Sequence, residues 1–214
     1  ICLKIQYPGV SDAIDSDLNT VANLLRLTRL VPITEEFEQW LDEIRMMMKR
    51  EVDYVLEKES TVRFKGLLKD DSRYIVPSIY PEYSTDQILA TSYEPGVNFN
   101  SPEFLGLSQN RRNHIAQSCM ELCWREVFEW GEMQTDPNFG NFFIRLGDDT
   151  TPDRLVLIDF GAVREFSAET IGPGKLMIEG AFKHDKQIIR QALIDLKFMK
   201  EDTPDRIILA FTDM

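Results

Sequence analysis

The sequence predicts an α+β fold in two lobes, of which the first combines strands with a long helix and the second is mainly helical. Three observations favour this fold class. Apolar and polar residues alternate over residues 1–7, apolar residues recur at helical spacing after Thr34, and Pro95-Gly96 interrupts both patterns before a helix-rich remainder. The predicted division is therefore residues 1–94 and residues 95–214.

The first predicted strand presents Ile1, Leu3 and Ile5 on one face and Lys4 on the other, because side chains alternate along a strand. Thr34 is a predicted N-cap, since a run of helical periodicity rich in glutamate follows it. This run contains neither glycine nor proline as far as Lys65, which predicts one long helix or two helices separated by a kink.

The remaining elements follow from the same patterns. Turn residues separate two predicted strands, and a helix, a pair of strands and a last helical region come after the Pro-Gly break. These elements are predicted, in order, at residues 74–79, 87–93, 111–130, 142–144, 155–158 and 174–199.

Composition excludes several classes of protein. The 36 acidic residues outnumber the 24 basic ones, which argues against a nucleic-acid partner, because phosphate backbones require clustered lysine and arginine. Three cysteines cannot form a framework of several disulfides. No apolar run reaches the roughly 18 residues expected of a membrane span.

Two short segments carry a pattern typical of phosphoryl transfer. Asp136 is followed five residues later by Asn141, and Asp159 begins an Asp-Phe-Gly sequence 18 residues after Asn141. A hairpin between them would present Asn141 and Asp159 as oxygen ligands for Mg²⁺, which binds carboxylates together with phosphate oxygens. Asp136 would then accept a proton or orient a nucleophile.

Lys4 completes the candidate site. It lies in the middle of the first strand and faces away from the apolar side, as expected of a lysine that contacts nucleotide phosphates. Glu51, in the predicted long helix, is its expected ion-pair partner. Asp53 lies about 200° further around a regular helix, so both carboxylates cannot face Lys4. Spacing alone therefore favours a solvated role for Asp53.

These segments resemble the UbiB family of aarF-domain, atypical protein-kinase-like ATPases, which support ubiquinone (coenzyme Q) biosynthesis. The resemblance implies a protein-kinase-like two-lobe fold that uses ATP and Mg²⁺. Its most specific strings are Lys-Ile-Gln-Tyr-Pro-Gly and Gln-Thr-Asp-Pro-Asn. The segments that carry it are Leu3–Gly9, Glu51–Tyr54, Gln134–Phe142 and Leu157–Ala162.

The resemblance implies a role for each matching residue. Lys4 would contact phosphate with Glu51 as its partner, and Asp53 would complete a Glu-x-Asp signature that faces a lysine of the family's Lys-x-Gly-Gln extension. Glu94 would belong to the hinge that binds adenine. Because the chain begins at the lysine strand, the resemblance also implies a truncated first lobe without that extension and without the family's Ala-rich nucleotide-covering loop. The remaining implied roles are a catalytic aspartate at Asp136 and metal ligands at Asn141 and Asp159.

The leading hypothesis from the sequence is a Mg²⁺-dependent ATP-binding ATPase. The resemblance adds a place in the mitochondrion, peripheral to the inner membrane, with ubiquinone-biosynthesis enzymes or lipid intermediates as partners. Two alternatives stay open: a phosphotransferase acting on a protein or a small molecule, and a non-catalytic nucleotide-binding scaffold for a biosynthetic complex. The absence of an Ala-Pro-Glu segment after Asp-Phe-Gly disfavours a peptide substrate.

Overall fold

The computed structural model describes residues 1–28, 34–136, 138–148 and 150–204. Pro137, within the quoted Gln-Thr-Asp-Pro-Asn string, lies outside them. The chain divides into two compact units, one formed by residues 1–119 and 134–163 and the other by residues 120–133 and 164–214. The predicted boundary at Pro95-Gly96 falls inside the first unit and stays a prediction.

Seven strands and seven α-helices are present in the described ranges. The strands are β1 (Cys2–Ile5), β2 (Tyr74–Ile75), β3 (Ile88–Thr91), β4 (Glu132–Gln134), β5 (Phe142–Arg145), β6 (Arg154–Leu157) and β7 (Val163–Glu165). The helices are α1 (Val10–Thr28), α2 (Glu35–Glu51), α3 (Tyr54–Leu67), α4 (Pro102–Leu105), α5 (Gln109–Arg125), α6 (Ala168–Lys183) and α7 (Lys186–Asp195). The mixed α+β class is therefore confirmed.

Three small sheets organise these strands. β1 pairs antiparallel with β3, and β4 pairs with β7. β6 lies in the centre of the third sheet, parallel to β2 and antiparallel to β5. The β5–β6 hairpin confirms the predicted strand pair, in a register that places Phe142 opposite Leu157.

The core of the first unit surrounds β6. Leu155, Val156 and Leu157 are all buried, and the Phe64 and Phe160 rings pack with their centroids 4.9 Å apart. Since Phe160 directly follows Asp159, this contact anchors the Asp-Phe-Gly turn on α3. In the second unit, α6 and α7 form a helical pair in which Ile189, Ala192 and Leu193 of α7 are buried.

Of the two arrangements predicted between Thr34 and Lys65, the structure has two helices, α2 and α3, and Thr34 is confirmed as the N-cap of α2. Other local features differ from the sequence predictions. The sequence analysis missed α1, although its Ile14 and Ala22 are buried at helical spacing. The predicted helix over residues 174–199 is two helices, because His184 adopts a left-handed conformation with φ of 52° and Asp185 caps α7.

The buried face of β1 is also the reverse of the pattern expected of a half-buried strand. Ile1, Leu3 and Ile5 are exposed, whereas Lys4 and Gln6 are partly buried. On the inward face, Lys4 and Gln6 make hydrogen bonds to α3 and to the α2–α3 junction.

Candidate active site

Lys4 lies at the centre of the candidate site. Its ammonium donates hydrogen bonds to both carboxylate oxygens of Glu57, at 2.9 and 2.8 Å, and to Oδ2 of Asp159 at 3.0 Å. The Lys4 side chain is 39% exposed and that of Asp159 30%, whereas Glu57 is only 1% exposed. The buried glutamate therefore holds the lysine from within, and the lysine and aspartate remain accessible to a ligand.

The start of α3 places Glu57 at this position. Asp53 is the N-cap of α3, and its carboxylate accepts a hydrogen bond from the Leu56 amide at 3.0 Å. Glu57 follows one turn later. Gln6, on the same face of β1 as Lys4, donates a hydrogen bond to the Val52 carbonyl at 2.6 Å, which ties the strand to the beginning of α3.

The predicted ion pair between Lys4 and Glu51 is wrong. Glu51 is the last residue of α2 and is exposed, whereas the partner of Lys4 is Glu57, six residues further along. The physical reason is the helix break at Val52 and Asp53, which resets the rotation of the side chains around the helix axis. The family role implied for Glu51 and Asp53 toward a lysine outside this chain stays a prediction.

Charge and burial act together on the pKa values of Lys4 and Glu57. Burial lowers the pKa of Lys4, but the carboxylates of Glu57 and Asp159 outweigh it and raise that pKa above its usual range. Burial, reinforced by the negative charge of Asp159, raises the pKa of Glu57 even though Lys4 opposes the shift. Lys4 is therefore a charged ammonium at neutral pH.

The raised pKa of Glu57 predicts a pH dependence of stability. The folded protein holds the Glu57 proton more tightly than the unfolded chain, so this stabilising contribution is complete below the ordinary pKa of glutamate, about 4.3. It is lost as the pH rises through the raised pKa. We therefore expect the free energy of unfolding of the wild type, minus that of Glu57→Gln, to decrease from pH 4 upward.

Urea unfolding followed by circular dichroism at a series of pH values measures this difference. Glu59→Gln is the matched control, because Glu59 is an exposed residue of the same helix, and its pH profile should parallel the wild type. A wild-type advantage over Glu57→Gln that grows with pH would contradict the raised pKa.

Asp136 and Asn141 form a second pair of site residues. Oδ2 of Asp136 accepts a hydrogen bond from the Asn141 side-chain amide at 2.7 Å, and Oδ1 accepts one from the Asn138 backbone amide at 3.3 Å. Asn138 in turn caps the short turn by accepting a hydrogen bond from Gly140 N at 2.9 Å. These contacts fix Asp136 and leave the amide oxygen of Asn141 available as a ligand.

Hydrogen bonds connect the segment around Asp136 and Asn141 to the Asp-Phe-Gly turn that begins at Asp159. The Asn141 carbonyl accepts a hydrogen bond from Ile158 N at 3.2 Å, directly before Asp159, and Thr135 N donates to the Ala162 carbonyl at 2.7 Å. The side-chain amide of Gln134 donates to the backbone carbonyl of Asp159. The catalytic segment and the Asp-Phe-Gly turn are therefore held together along their length.

The sequence did not predict the hydrogen bond from Gln134 to the backbone of Asp159. This side chain is buried at 6% exposure and positions the backbone of Asp159, without itself facing a ligand. A signal was present, because Gln134 opens the Gln-Thr-Asp-Pro-Asn string. Motif spacing alone did not indicate what it contacts.

Glu94, predicted to belong to an adenine-binding hinge, uses its carboxylate to accept hydrogen bonds from Ser92 and Arg145. Oε1 accepts a hydrogen bond from the Ser92 hydroxyl and Oε2 one from the Arg145 guanidinium, both at 2.7 Å. Burial raises the pKa of Glu94, but these hydrogen bonds bring it below its usual range. A Cβ at Gly96 would lie 2.6 Å from that of Phe143, so glycine permits the hinge to approach β5. The predicted adenine contact at Glu94 would have to use the backbone.

The donor set fits a magnesium ion that a bound phosphate completes. In the described part of the chain no group of three or more His, Cys, Asp or Glu residues could hold a metal by itself. Asp159 offers a carboxylate and Asn141 an amide oxygen on neighbouring strand ends, and Mg²⁺ is commonly bound by one or two carboxylates with substrate phosphates. Their roles as ligands stay predictions.

Comparison with known proteins gives a consistent result. The model of the ABC1 atypical kinase-like domain family matches residues 1–193. "Atypical kinase COQ8, mitochondrial" of Saccharomyces cerevisiae is 33% identical and "Atypical kinase COQ8B, mitochondrial" of Rattus norvegicus 35% identical, each over 93% of this chain. "Probable serine/threonine-protein kinase abkA" of Dictyostelium discoideum is 31% identical over 94% of it. The chain covers 38%, 37% and 37% of these relatives, respectively.

A solved structure confirms the kinase-like fold. The complex of Rv3197 with erythromycin from Mycobacterium tuberculosis superimposes with a TM-score of 0.68 at 26% identity, over 89% of this chain and 47% of that one. Among the residues that the structure describes, no helix is both long enough and apolar enough to cross a membrane.

Proposed function

This chain belongs to the ABC1 atypical kinase-like domain family, and we propose that it forms the phosphate- and Mg²⁺-binding part of an enzyme that binds and hydrolyses ATP. The observation that carries the proposal is the three-way contact of Lys4 with Glu57 and Asp159, beside the hydrogen-bonded pair of Asp136 and Asn141. Such an arrangement suits phosphoryl transfer, in which positioning and charge neutralisation supply most of the catalysis.

Lys4 would bind the phosphates of the nucleotide. Its ammonium is charged and partly exposed, and Glu57 holds it from the buried side at hydrogen-bond distance. The Tyr54 ring, with its centroid 5.3 Å from Nζ, adds a cation–π contact. A lysine held by these two groups needs little reorganisation when a triphosphate arrives, which lowers the cost of binding.

Asp159 and Asn141 would hold the magnesium ion, whose chemical contribution is to neutralise charge on the phosphate oxygens. One oxygen of Asp159 accepts a hydrogen bond from Gly161 N at 2.9 Å, so the carboxylate has a defined orientation. The other oxygen contacts Lys4 and can turn toward a ligand as Lys4 engages phosphate.

Asp136 would orient the attacking nucleophile and receive its proton. Its carboxylate is partly exposed and is held by the Asn138 amide and the Asn141 side chain. A general base must lie within hydrogen-bond reach of the proton that it removes, and this fixed carboxylate meets the requirement for a water molecule or an alcohol.

The names of the relatives support a place in ubiquinone biosynthesis within the mitochondrion for this protein. Both COQ8 relatives reported above are called mitochondrial atypical kinases. We propose other enzymes of that pathway or its lipid intermediates as partners, with peripheral contact to the inner membrane in the full-length protein.

A phosphotransferase is the second candidate, because the Dictyostelium relative is named a probable serine/threonine-protein kinase. The same residues would then activate an alcohol in place of water. Incubation with γ-labelled ATP and pathway components separates the two functions: release of free phosphate exceeds transfer if the protein is an ATPase, and the order reverses if it is a phosphotransferase.

Asp159→Asn tests the proposed function. We expect this change to weaken Mg²⁺-dependent ATP binding at least about tenfold, because it removes the charged metal ligand and leaves a side chain of equal size. Isothermal titration of the full-length protein with ATP, with and without Mg²⁺, measures the effect.

The control for this experiment is Asp86→Asn, which makes the same charge change at an exposed turn and should bind as the wild type does. Wild-type affinity in Asp159→Asn, with the same dependence on Mg²⁺, would refute the proposal.

A further inference from the structure

A groove of about 340 Å³ lies on the first unit, and of the predicted site residues only Glu94 lines it. The last turn of α3, the segment around β2 and the first residue of β6 form its walls. None of Lys4, Glu57, Asp136, Asn141 and Asp159 lines it. The residues that matter for its chemistry are Lys65, Leu68, Lys69, Tyr74, Val76 and Arg154.

The two carboxylates that line the groove are already neutralised. Asp71 accepts hydrogen bonds from the Arg73 guanidinium at 2.9 and 2.8 Å. Glu94 forms an ion pair with Arg145 at 2.7 Å. Asp71 is therefore paired with a residue outside the groove lining, whereas Glu94, although paired with Arg145, also attracts Lys65 electrostatically.

Arg154 carries one of those unbalanced charges. It stands directly opposite Arg145 in the antiparallel β5–β6 pair, where two like charges repel each other. Glu94 compensates the charge of Arg145. The side chain of Arg154, in contrast, makes no hydrogen bond and no ion pair to any described part of the chain. A partly buried guanidinium in this setting favours an anion.

Two lysines add to the positive charge. The side chain of Lys69 likewise makes no hydrogen bond and no ion pair within the described ranges. The ammonium of Lys65 donates to the Val76 carbonyl at 3.1 Å and to the Ser78 hydroxyl at 2.6 Å, both of which are neutral acceptors. Three cations thus line a groove whose acids are paired elsewhere.

The remaining wall is apolar. Leu68, Tyr74 and Val76 are buried residues that border the groove beside the cations. The volume is near the lower end of the range for small-molecule sites, which combine apolar walls with a few polar groups. We propose that this groove binds a small organic anion in which a phosphate or carboxylate group, held by Arg154, Lys69 and Lys65, is joined to an apolar body.

Binding of phenyl phosphate tests this proposal without any measurement of ATP turnover. Isothermal titration of the purified protein with phenyl phosphate, in the presence of saturating Mg²⁺-ATP, should show saturable binding. Lys69→Gln combined with Arg154→Gln should weaken the binding of phenyl phosphate at least about tenfold, a loss of about 1.4 kcal/mol, because both cations that hold the anion are removed.

The matched control is Arg164→Gln with Lys175→Gln, two exposed cations of the second unit that make the same charge change. Unchanged binding in the control supports the proposal. Equal loss in both double variants, wild-type affinity in Lys69→Gln/Arg154→Gln, or no saturable binding of phenyl phosphate would each overturn a site for a soluble anion.

A parallel arm with vesicles of phosphatidylcholine containing phosphatidic acid distinguishes the source of the anion. Vesicle binding that depends on Lys69 and Arg154, in the absence of phenyl phosphate binding, assigns the groove to a lipid headgroup. Failure in both arms rejects the groove as an anion site and leaves the proposed ATPase untouched, because the Asp159→Asn experiment is independent of it.

Discussion

Replacement of Asp136 by asparagine should reduce ATP hydrolysis by the full-length protein about 10²–10⁴-fold, the range typical of a lost general base. Asparagine keeps one oxygen to accept a hydrogen bond from the Asn138 amide, but its NH2 group cannot accept the hydrogen bond that the Asn141 side chain donates to Asp136. The affinity for Mg²⁺-ATP should therefore fall through Asn141, but far less than turnover, because Asp136 is not expected to bind the metal.

Single-turnover hydrolysis and equilibrium ATP binding, measured side by side, separate the two effects. Asp17→Asn, an exposed aspartate of α1, is the control and should hydrolyse ATP as the wild type does. Wild-type turnover in Asp136→Asn would remove this residue from the chemistry. Intact ATP binding and undiminished assembly of the biosynthetic complex, together with unchanged pathway output despite lost turnover, would favour the scaffold alternative.

Glu57→Gln should lower the turnover of ATP on the order of 10²-fold, the loss that follows when a catalytic group is misplaced by about 1 Å. The substitution preserves size but removes the charge that raises the pKa of Lys4 and holds its ammonium at 2.8 Å. Of the two carboxylates that contact Lys4, Asp159 alone would then remain. It would be drawn toward Lys4 and away from the magnesium ion.

The same experiment separates Glu57 from Glu51. An NMR titration of the Lys4 ammonium should show a lower pKa in Glu57→Gln and an unchanged pKa in both Glu51→Gln and the control Glu59→Gln. Turnover in Glu59→Gln should match the wild type, because this exposed residue makes none of the described contacts at the site. A larger effect of Glu51→Gln on the Lys4 pKa would contradict the pairing described above.

Where functional residues lie close along the chain, their arrangement was predictable from sequence. Asp136 and Asn141 are five residues apart within one turn, and Asn141 and Asp159 stand at the paired ends of a hairpin that strand periodicity predicts. Local backbone geometry is sufficient to bring such groups together. The sequence could therefore identify four of the charged or polar groups at the site, namely Lys4, Asp136, Asn141 and Asp159.

The partner of Lys4 could not be predicted in this way. Glu51 and Glu57 both lie in a stretch of helical periodicity without glycine or proline. That pattern does not mark the break at Val52 and Asp53, where Gln6 of β1 donates a hydrogen bond to the Val52 carbonyl. The resemblance to a family also implied Glu51 as the partner of Lys4, whereas the structure pairs Lys4 with Glu57.

By itself the sequence determined the α+β class and the family, and it indicated the candidate phosphoryl-transfer residues, whose roles stay predictions, because these depend on residue type and on short motif spacings. The tertiary structure alone decided that Glu57 holds Lys4, that the polar face of β1 turns inward, and that Gln134 supports Asp159. These features join residues 25 to 53 positions apart, or depend on which surfaces other elements cover. Contacts at such separations are set by packing and hydrogen bonding across the whole fold, which a local pattern does not contain.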